Sequence, residues 1–295
     1  MNHRFPSAAL ACLAISMLAH AVRAQARPVV LKARKVGKSL YLPVEINGKP
    51  FWFAVDSGAY QGVVDPLVAK EAGLKVIGEG TVQGTGQGDV PVKHLARLTM
   101  RMGALDIVVA EPFLIDLSGT GNPGWMHGLI GAELFENYVV EMDFDRSQFR
   151  VFGPDEFSPP KKAESIPLVV ENHRFFIEAT LDASETRTVT HRLRVDTGSE
   201  DSVADEVVKE GTNVHETTLG NGLGANYKGY SGVFKAVRLG PFTFHDVWGP
   251  AVPYPGIGME MFRRFVVTFD VPHRKLYLQP NKHFDEPFPP PRVVK

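Results

Sequence analysis

The sequence says one short phrase twice, and that repetition limits the fold more than any bulk property does. Phe53-Ala54-Val55-Asp56-Ser57-Gly58-Ala59 returns 140 positions later as Leu193-Arg194-Val195-Asp196-Thr197-Gly198-Ser199. Each copy runs from a largely hydrophobic stretch into Asp, a hydroxyl residue, Gly and a small residue. A second pair follows in the same order. Gly128-Leu129-Ile130-Gly131 leads into Glu133, Phe135, Val139-Val140 and Asp143, and Gly256-Ile257-Gly258 leads into Glu260, Phe262, Val266-Val267 and Asp270, at a constant offset of 127. Two motifs repeated in one order indicate a chain built from two copies of one unit.

Each copy reads as mostly β. Ser39 to Ile46 alternates as a strand, Asn47-Gly48 is a hairpin turn, and Pro50 to Val55 returns to the first Asp. Phe175 to Leu181 and Leu193 to Val195 take the same parts in the second copy. Brief helices are expected over Asp65 to Ala72, where Asp-Pro is a helix start, and over Ser202 to Lys209. One more per copy is expected around Glu133 to Asn137 and Glu260 to Arg264. Prolines and lysines at 154–164 mark a linker between units at 28–153 and 165–280, and residues 281–295 form a proline-rich tail.

Composition removes several classes. A net charge of −1 without a basic stripe gives no reason to expect a nucleic-acid partner. Residues 1–24 read as a signal peptide, with His3 and Arg4, an apolar run from Ala8 to about Ala21, and a cleavage site at Val22-Arg23-Ala24. The run falls short of the roughly 20 residues that span a bilayer, and no other segment is apolar enough. The expected mature chain is therefore exported, periplasmic or secreted, with no integral membrane segment. Cys12 lies inside the signal, which leaves no thiol for cysteine-protease or redox chemistry. The histidines are scattered, without metal-ligand spacing, and neither a metal nor a cofactor is expected.

Two aspartates on matching loops suggest a specific chemistry. Carboxyl groups held about 3 Å apart cannot both ionise, so they share a proton. One can then act as a base on water while the other donates to a substrate carbonyl. Val55 and Val195 would bury the strands, Gly58 and Gly198 would allow a tight turn and close backbone approach, and Ser57 and Thr197 supply hydroxyls between the loops.

The paired motifs, with Leu129-Ile130-Gly131 behind the first, make the chain resemble a bacterial retropepsin-like aspartyl protease with two lobes fused in one polypeptide. The resemblance covers nearly all of the mature chain. It implies an all-β, two-lobed pepsin/retropepsin-like fold with pseudo-twofold lobes and few short helices. It also implies an aspartic endopeptidase that uses an activated water. Asp56 and Asp196 would be the catalytic dyad, Ser57 and Thr197 would grip across the lobes, and Gly58, Gly198 and Ser199 would complete the loops. Hairpin flaps would close over an extended peptide, with Gly84, Thr85 and Gly86 in one and Gly222 and Gly224 in the other. Gln83 stands where a pepsin-like flap carries tyrosine, which turns attention to Tyr227 or Tyr230. Ser199 has no hydroxyl counterpart at Ala59, and a hydrogen bond from it to Asp196 would leave the proton on Asp56. Glu200 and Asp201 read as a solvated acidic loop. The short linker favours pairing within one chain, hence a monomer acting on peptide or protein. The competing class is a catalytically silent peptide-binding protein of the same fold.

Overall fold

The computed structural model describes residues 27–120, 124–220 and 222–290. The expected signal peptide at 1–24, Asn221 in the second glycine-rich loop, and residues 291–295 of the tail lie outside them. Among the described residues no helix is long and apolar enough to cross a membrane. The described residues are mostly β, with three short α-helices and one 3-10 helix.

Alternating burial explains the strands. In Ser39–Ile46, Leu40, Leu42, Val44 and Ile46 point into the core while Pro43 and Glu45 face out. Its antiparallel partner Lys49–Val55 is joined by Asn47 and Gly48, at φ 50° and 77°. A two-residue hairpin of this kind needs positive φ at both positions. The Asn47 side chain also donates to the carbonyl of Ala72 at 2.8 Å, tying the hairpin to the first helix. That helix, Pro66–Ala72, starts where Asp65 accepts from the Leu67 N–H and ends at Gly73 in the left-handed conformation.

The expected helix over 202–209 is mostly something else. Val203–Ala204 is a strand paired with Gly256–Ile257, and only Glu206–Glu210 turns, as a 3-10 helix. Sheet pairing takes the β-branched start of the segment, and Asp205 then caps the turn by accepting from the Val207 N–H at 2.9 Å.

Three sheets result. A ten-stranded sheet is drawn from the first half and an eight-stranded sheet from the second. The third, six-stranded, sheet mixes both, in the order Val29–Lys32, Gln148–Phe152, Val139–Asp143, Phe265–Asp270, Lys275–Pro280, Glu164–Pro167. At its centre the repeated segments pair antiparallel, with Val140 opposite Phe269 and Met142 opposite Val267. Exchanging the two copies at the 127-residue offset maps one of these pairs onto the other. A twofold relation is thus written into the register.

The core runs through both halves. Phe135, from the first-half helix Ala132–Asn137, packs on Phe269 at 4.8 Å and Phe175 at 5.8 Å, and all three rings are fully buried. Each such ring contributes about 1.5–3 kcal/mol by leaving water. The described part of the tail is packed as well. Arg264 is fully buried and donates to the carbonyls of His283, Phe284, Glu286 and Pro287, and its guanidinium lies 3.7 Å from the Phe288 ring centre.

Candidate active site

Both Asp motifs sit at the end of a strand whose last residues are buried: Asp56 follows Lys49–Val55 and Asp196 follows Thr188–Val195. Each strand is backed by a short parallel strand from downstream, Gly128–Ile130 in one case and Gly256–Ile257 in the other. The ladder carries into the loops, with Asp56 N–H donating to Ile130 and Asp196 N–H to Ile257. Gly256-Ile257-Gly258 therefore does the work of Leu129-Ile130-Gly131 although its first hydrophobic position is a glycine. The essential element is the last glycine. A β-carbon on Gly131 would stand 2.6 Å from Gln61 backbone, and one on Gly258 would stand 2.7 Å from the carbonyls of Ser199 and Asp201.

The two loops close identically and grip each other. Oδ1 of Asp56 accepts from the N–H groups of Gly58 and Ala59, and Oδ1 of Asp196 accepts from those of Gly198 and Ser199. Ser57 N–H donates to Thr197 Oγ1 at 2.9 Å, and Thr197 N–H donates to Ser57 Oγ at 3.0 Å. Each hydroxyl then donates to the strand behind the other loop, Ser57 to Val195 O at 2.9 Å and Thr197 to Val55 O at 2.8 Å. This lock presses each carboxylate onto the opposite glycine. A β-carbon on Gly58 would lie 2.5 Å from Asp196 Cγ, and one on Gly198 would lie 2.5 Å from Asp56 Cγ. Only glycine fits there.

Burial and the neighbouring Asp196 charge push Asp56 up to about 7, against smaller downward pulls from the loop N–H groups and Arg194. Arg194, two residues before Asp196, donates from Nη2 to Asp196 Oδ2 at 2.7 Å. No sequence pattern gives this arginine a partner. Its signal was a charge inside an otherwise apolar approach to the motif.

Two expectations are corrected. The Ser199 hydroxyl donates to Asp201 at 3.3 Å and accepts from the Asp201 N–H, while only its backbone N–H reaches Asp196. The loop geometry points the Ser199 side chain away from the carboxylate, and Arg194 holds the place assigned to it. Nor is Glu200-Asp201 a freely solvated pair. Glu200 accepts from Lys38 N–H at 3.2 Å, its backbone carbonyl accepts from Lys38 Nζ, and Asp201 is raised by burial.

The glycine-rich segments are hairpin tips. The first joins Val76–Gln83 to Asp89–Leu95 and the second joins Thr212–Leu219 to Tyr227–Leu239. The tips touch: Gly86 N–H donates to Leu223 O at 2.8 Å, and Gln87 and Ala225 exchange N–H···O bonds of 2.9 and 3.0 Å. Gly84, Thr85, Gly86, Gly222 and Gly224 all lie at this meeting point. A β-carbon on Gly86 would stand 2.5 Å from Gly224, so the tips could not approach so closely with larger residues. Tyr227 sits at the neck of the second hairpin, opposite Leu219, and Tyr230 is exposed with Lys209 over its ring, so neither is at a tip. Beside the first hairpin lies an open cavity of about 440 Å³, walled by Tyr60 of the Asp56 loop, Gln83, His173 and Arg174. The Arg174 guanidinium is 5.8 Å from the Tyr60 ring centre.

Among the described residues no group of three or more acidic or histidine side chains is disposed to hold a metal ion. The arrangement brings two carboxyl groups together across the loops, as chemistry on a shared water requires. Residues 42–133 match the family described as aspartyl protease. The match contains Asp56 and the first hairpin, and it ends before Asp196. It supports an aspartic-type peptidase in general terms. No curated protein matches the chain.

Proposed function

We propose that the chain is an aspartic-type endopeptidase of the two-lobed retropepsin-like kind, in which Asp56 and Asp196 act as one dyad. The observation that carries this reading is the reciprocal hydroxyl lock between the Ser57 and Thr197 loops, which sets the two carboxyl groups against each other's glycines. With one proton between them, the ionised carboxyl takes a proton from water, and the protonated one hydrogen-bonds the scissile carbonyl. Water is the nucleophile, so no covalent intermediate with the protein forms.

The hairpin tips would cover an extended peptide, whose backbone adds along strand edges while side chains enter pockets. The cavity beside Tyr60 and Arg174 is one such pocket, and its guanidinium favours an acidic side chain there. Among the described residues Arg174 has no carboxylate partner of its own. On this reading the mature chain works after export and removal of residues 1–24, as a monomer, because both aspartates come from one polypeptide.

Cleavage of a denatured protein mixture between pH 3 and 8, with the cut sites mapped, tests the proposal. Wild-type cleavage that is lost in both Asp56→Asn and Asp196→Asn supports it. Cleavage that survives either substitution rules out the dyad. Wild-type protein that retains peptides without cutting them would move the assignment to a peptide-binding protein of the same fold.

A further inference from the structure

The facing carboxyl groups are held alike by backbone and unlike by side chains. Both Oδ1 atoms accept two loop N–H groups. At Asp196, Oδ2 accepts in addition from Arg194 Nη2 at 2.7 Å. The residue in the corresponding place of the first copy is Ala54, and among the described residues no side chain donates to Asp56. Arg194 is well placed to keep this contact. Its strand is fixed on both sides, by Phe176 and by Gly256, and neither neighbour carries a charge. Asp196 is its only ion-pair partner among the described residues, and its Nε is buried without a hydrogen bond. The other charges around the second loop are Asp201 and Glu200, with Lys38 bound to Glu200 and Glu260.

We infer that Arg194 is a positioning residue that gives the dyad a direction: it keeps Asp196 as the carboxylate, so that Asp196 is the base and Asp56 the acid. The inference rests on the dyad proposed above. In the first step a water O–H bond breaks, its proton goes to Asp196, and its oxygen bonds the carbonyl carbon while the Asp56 proton passes to the carbonyl oxygen. In the second, the C–N bond breaks as Asp196 returns its proton to the departing nitrogen and Asp56 recovers one from a hydroxyl of the diol. The starting protonation is restored, with one water consumed. The direction follows from the asymmetry of charge. Asp196 Oδ2 has a guanidinium in hydrogen-bond contact, which favours the charged form of the carboxyl it touches, while Asp56 has no such partner and burial and the facing carboxylate push it up to about 7. Arg194 also lowers Asp56, but more weakly than burial and Asp196 raise it.

Titration of the full chain with 13Cγ-labelled aspartate reads each carboxyl separately, where a rate profile reports only the pair. Asp56→Asn and Asp196→Asn assign the two signals. At pH 5 the wild-type Asp196 signal is expected to be that of a carboxylate and the Asp56 signal that of an acid. In Arg194→Gln the difference between the two signals at pH 5 is expected to shrink, Arg194→Lys restores most of it, and the acidic limb of kcat/KM moves with it. An ionised Asp56 beside a protonated Asp196 at pH 5 overturns the inference, as does a difference between the two signals that Arg194→Gln leaves unchanged. The wild-type spectrum decides even if the glutamine variant does not fold. It also decides if the protein cleaves nothing, so this inference and the proposed function fail separately.

Discussion

Glu133 and Glu260 occupy the same place in the two copies, in the first turn of the short helix behind each Asp loop, yet their surroundings are opposite. Glu260 is met by three cations, Lys38 at 2.7 Å, Arg263 at 2.6 Å and Arg264 at 3.0 Å, and its carboxyl is held below the ordinary range despite burial. Glu133 points both oxygens into the interior with no side-chain donor, against Gly62, and burial holds its carboxyl above that range. The nearest titratable side chains are Glu136 and His173, which pair with each other at 3.0 Å. Repetition has preserved the backbone path and the position of the acid. The electrostatics come from residues outside the repeated pattern: a lysine near the start of the chain, and two arginines where the first copy has Glu136 and Asn137.

The largest difference that could break the equivalence of the copies is catalytic. Asp56→Asn and Asp196→Asn are each expected to cost more than about a thousandfold in kcat/KM, because groups acting as a unit fail together. Near-wild-type activity in either single variant would show that one copy works without the other. In the wild type, activity is expected to fall about tenfold per pH unit above the Asp56 midpoint near 7, because the second carboxyl then ionises. The folded pKa of Asp56 lies above its unfolded one, so the folded state binds this proton more tightly. Stability is therefore lost as pH rises from the ordinary carboxylate range through about 7.

Glu260→Gln should be next in size. It leaves buried cations uncompensated and is expected to destabilise by about 3–5 kcal/mol in denaturant titration at pH 7. Glu260 has a depressed folded pKa, so its stabilisation is present above the unfolded pKa and disappears as pH falls through the folded one. The difference between variant and wild type should shrink in acid. The hydroxyl lock gives a middle effect, with Ser57→Ala and Thr197→Val each costing about 1–3 kcal/mol. Near-equal values would mark it as symmetric. Glu133→Gln should have the opposite sign, stabilising at pH 7 by on the order of 1 kcal/mol. Its raised folded pKa means the carboxylate is a cost only above the unfolded pKa, so thermal melts of the two proteins should converge in acid. The smallest effect belongs to Arg174→Glu, a few-fold loss of preference for an acidic residue at one substrate position, in keeping with an exposed pair worth about 0.2–1 kcal/mol. Unchanged cut-site statistics would remove Arg174 from specificity.

The parts legible in the sequence are those fixed by backbone chemistry. The alternation of Ser39–Ile46, the Asn47-Gly48 turn and the Asp65-Pro66 helix start each follow from local propensity, and the mostly β architecture follows from their repetition. The glycines at Gly58 and Gly198 signalled a close approach that the carboxylates supply. Side-chain partners chosen by tertiary contact were not legible. Ser199 could have turned to Asp196 or Asp201, and only the loop geometry decides for Asp201. Val203–Ala204 could have continued a helix until Gly256–Ile257 offered a strand. Arg194 was visible as a residue, but its reach to Asp196 depends on the strand's end and not on its spacing.

The buried guanidinium of Arg264 carries a consequence for how the molecule comes into being. Its Nε and Nη2 donate to Glu260, the remaining donors are satisfied by carbonyl oxygens from residues 283–287, and the Phe288 ring covers it. During synthesis Glu260 is already present, but the acceptors at 283–287 are not. A nascent chain that has reached the central sheet strand Phe265–Asp270 therefore holds Arg264 with only part of its donors met, by Glu260, until residues 283–287 follow. The segment 283–288 acts as a seal: the guanidinium and the rings around it are covered only once it is in place.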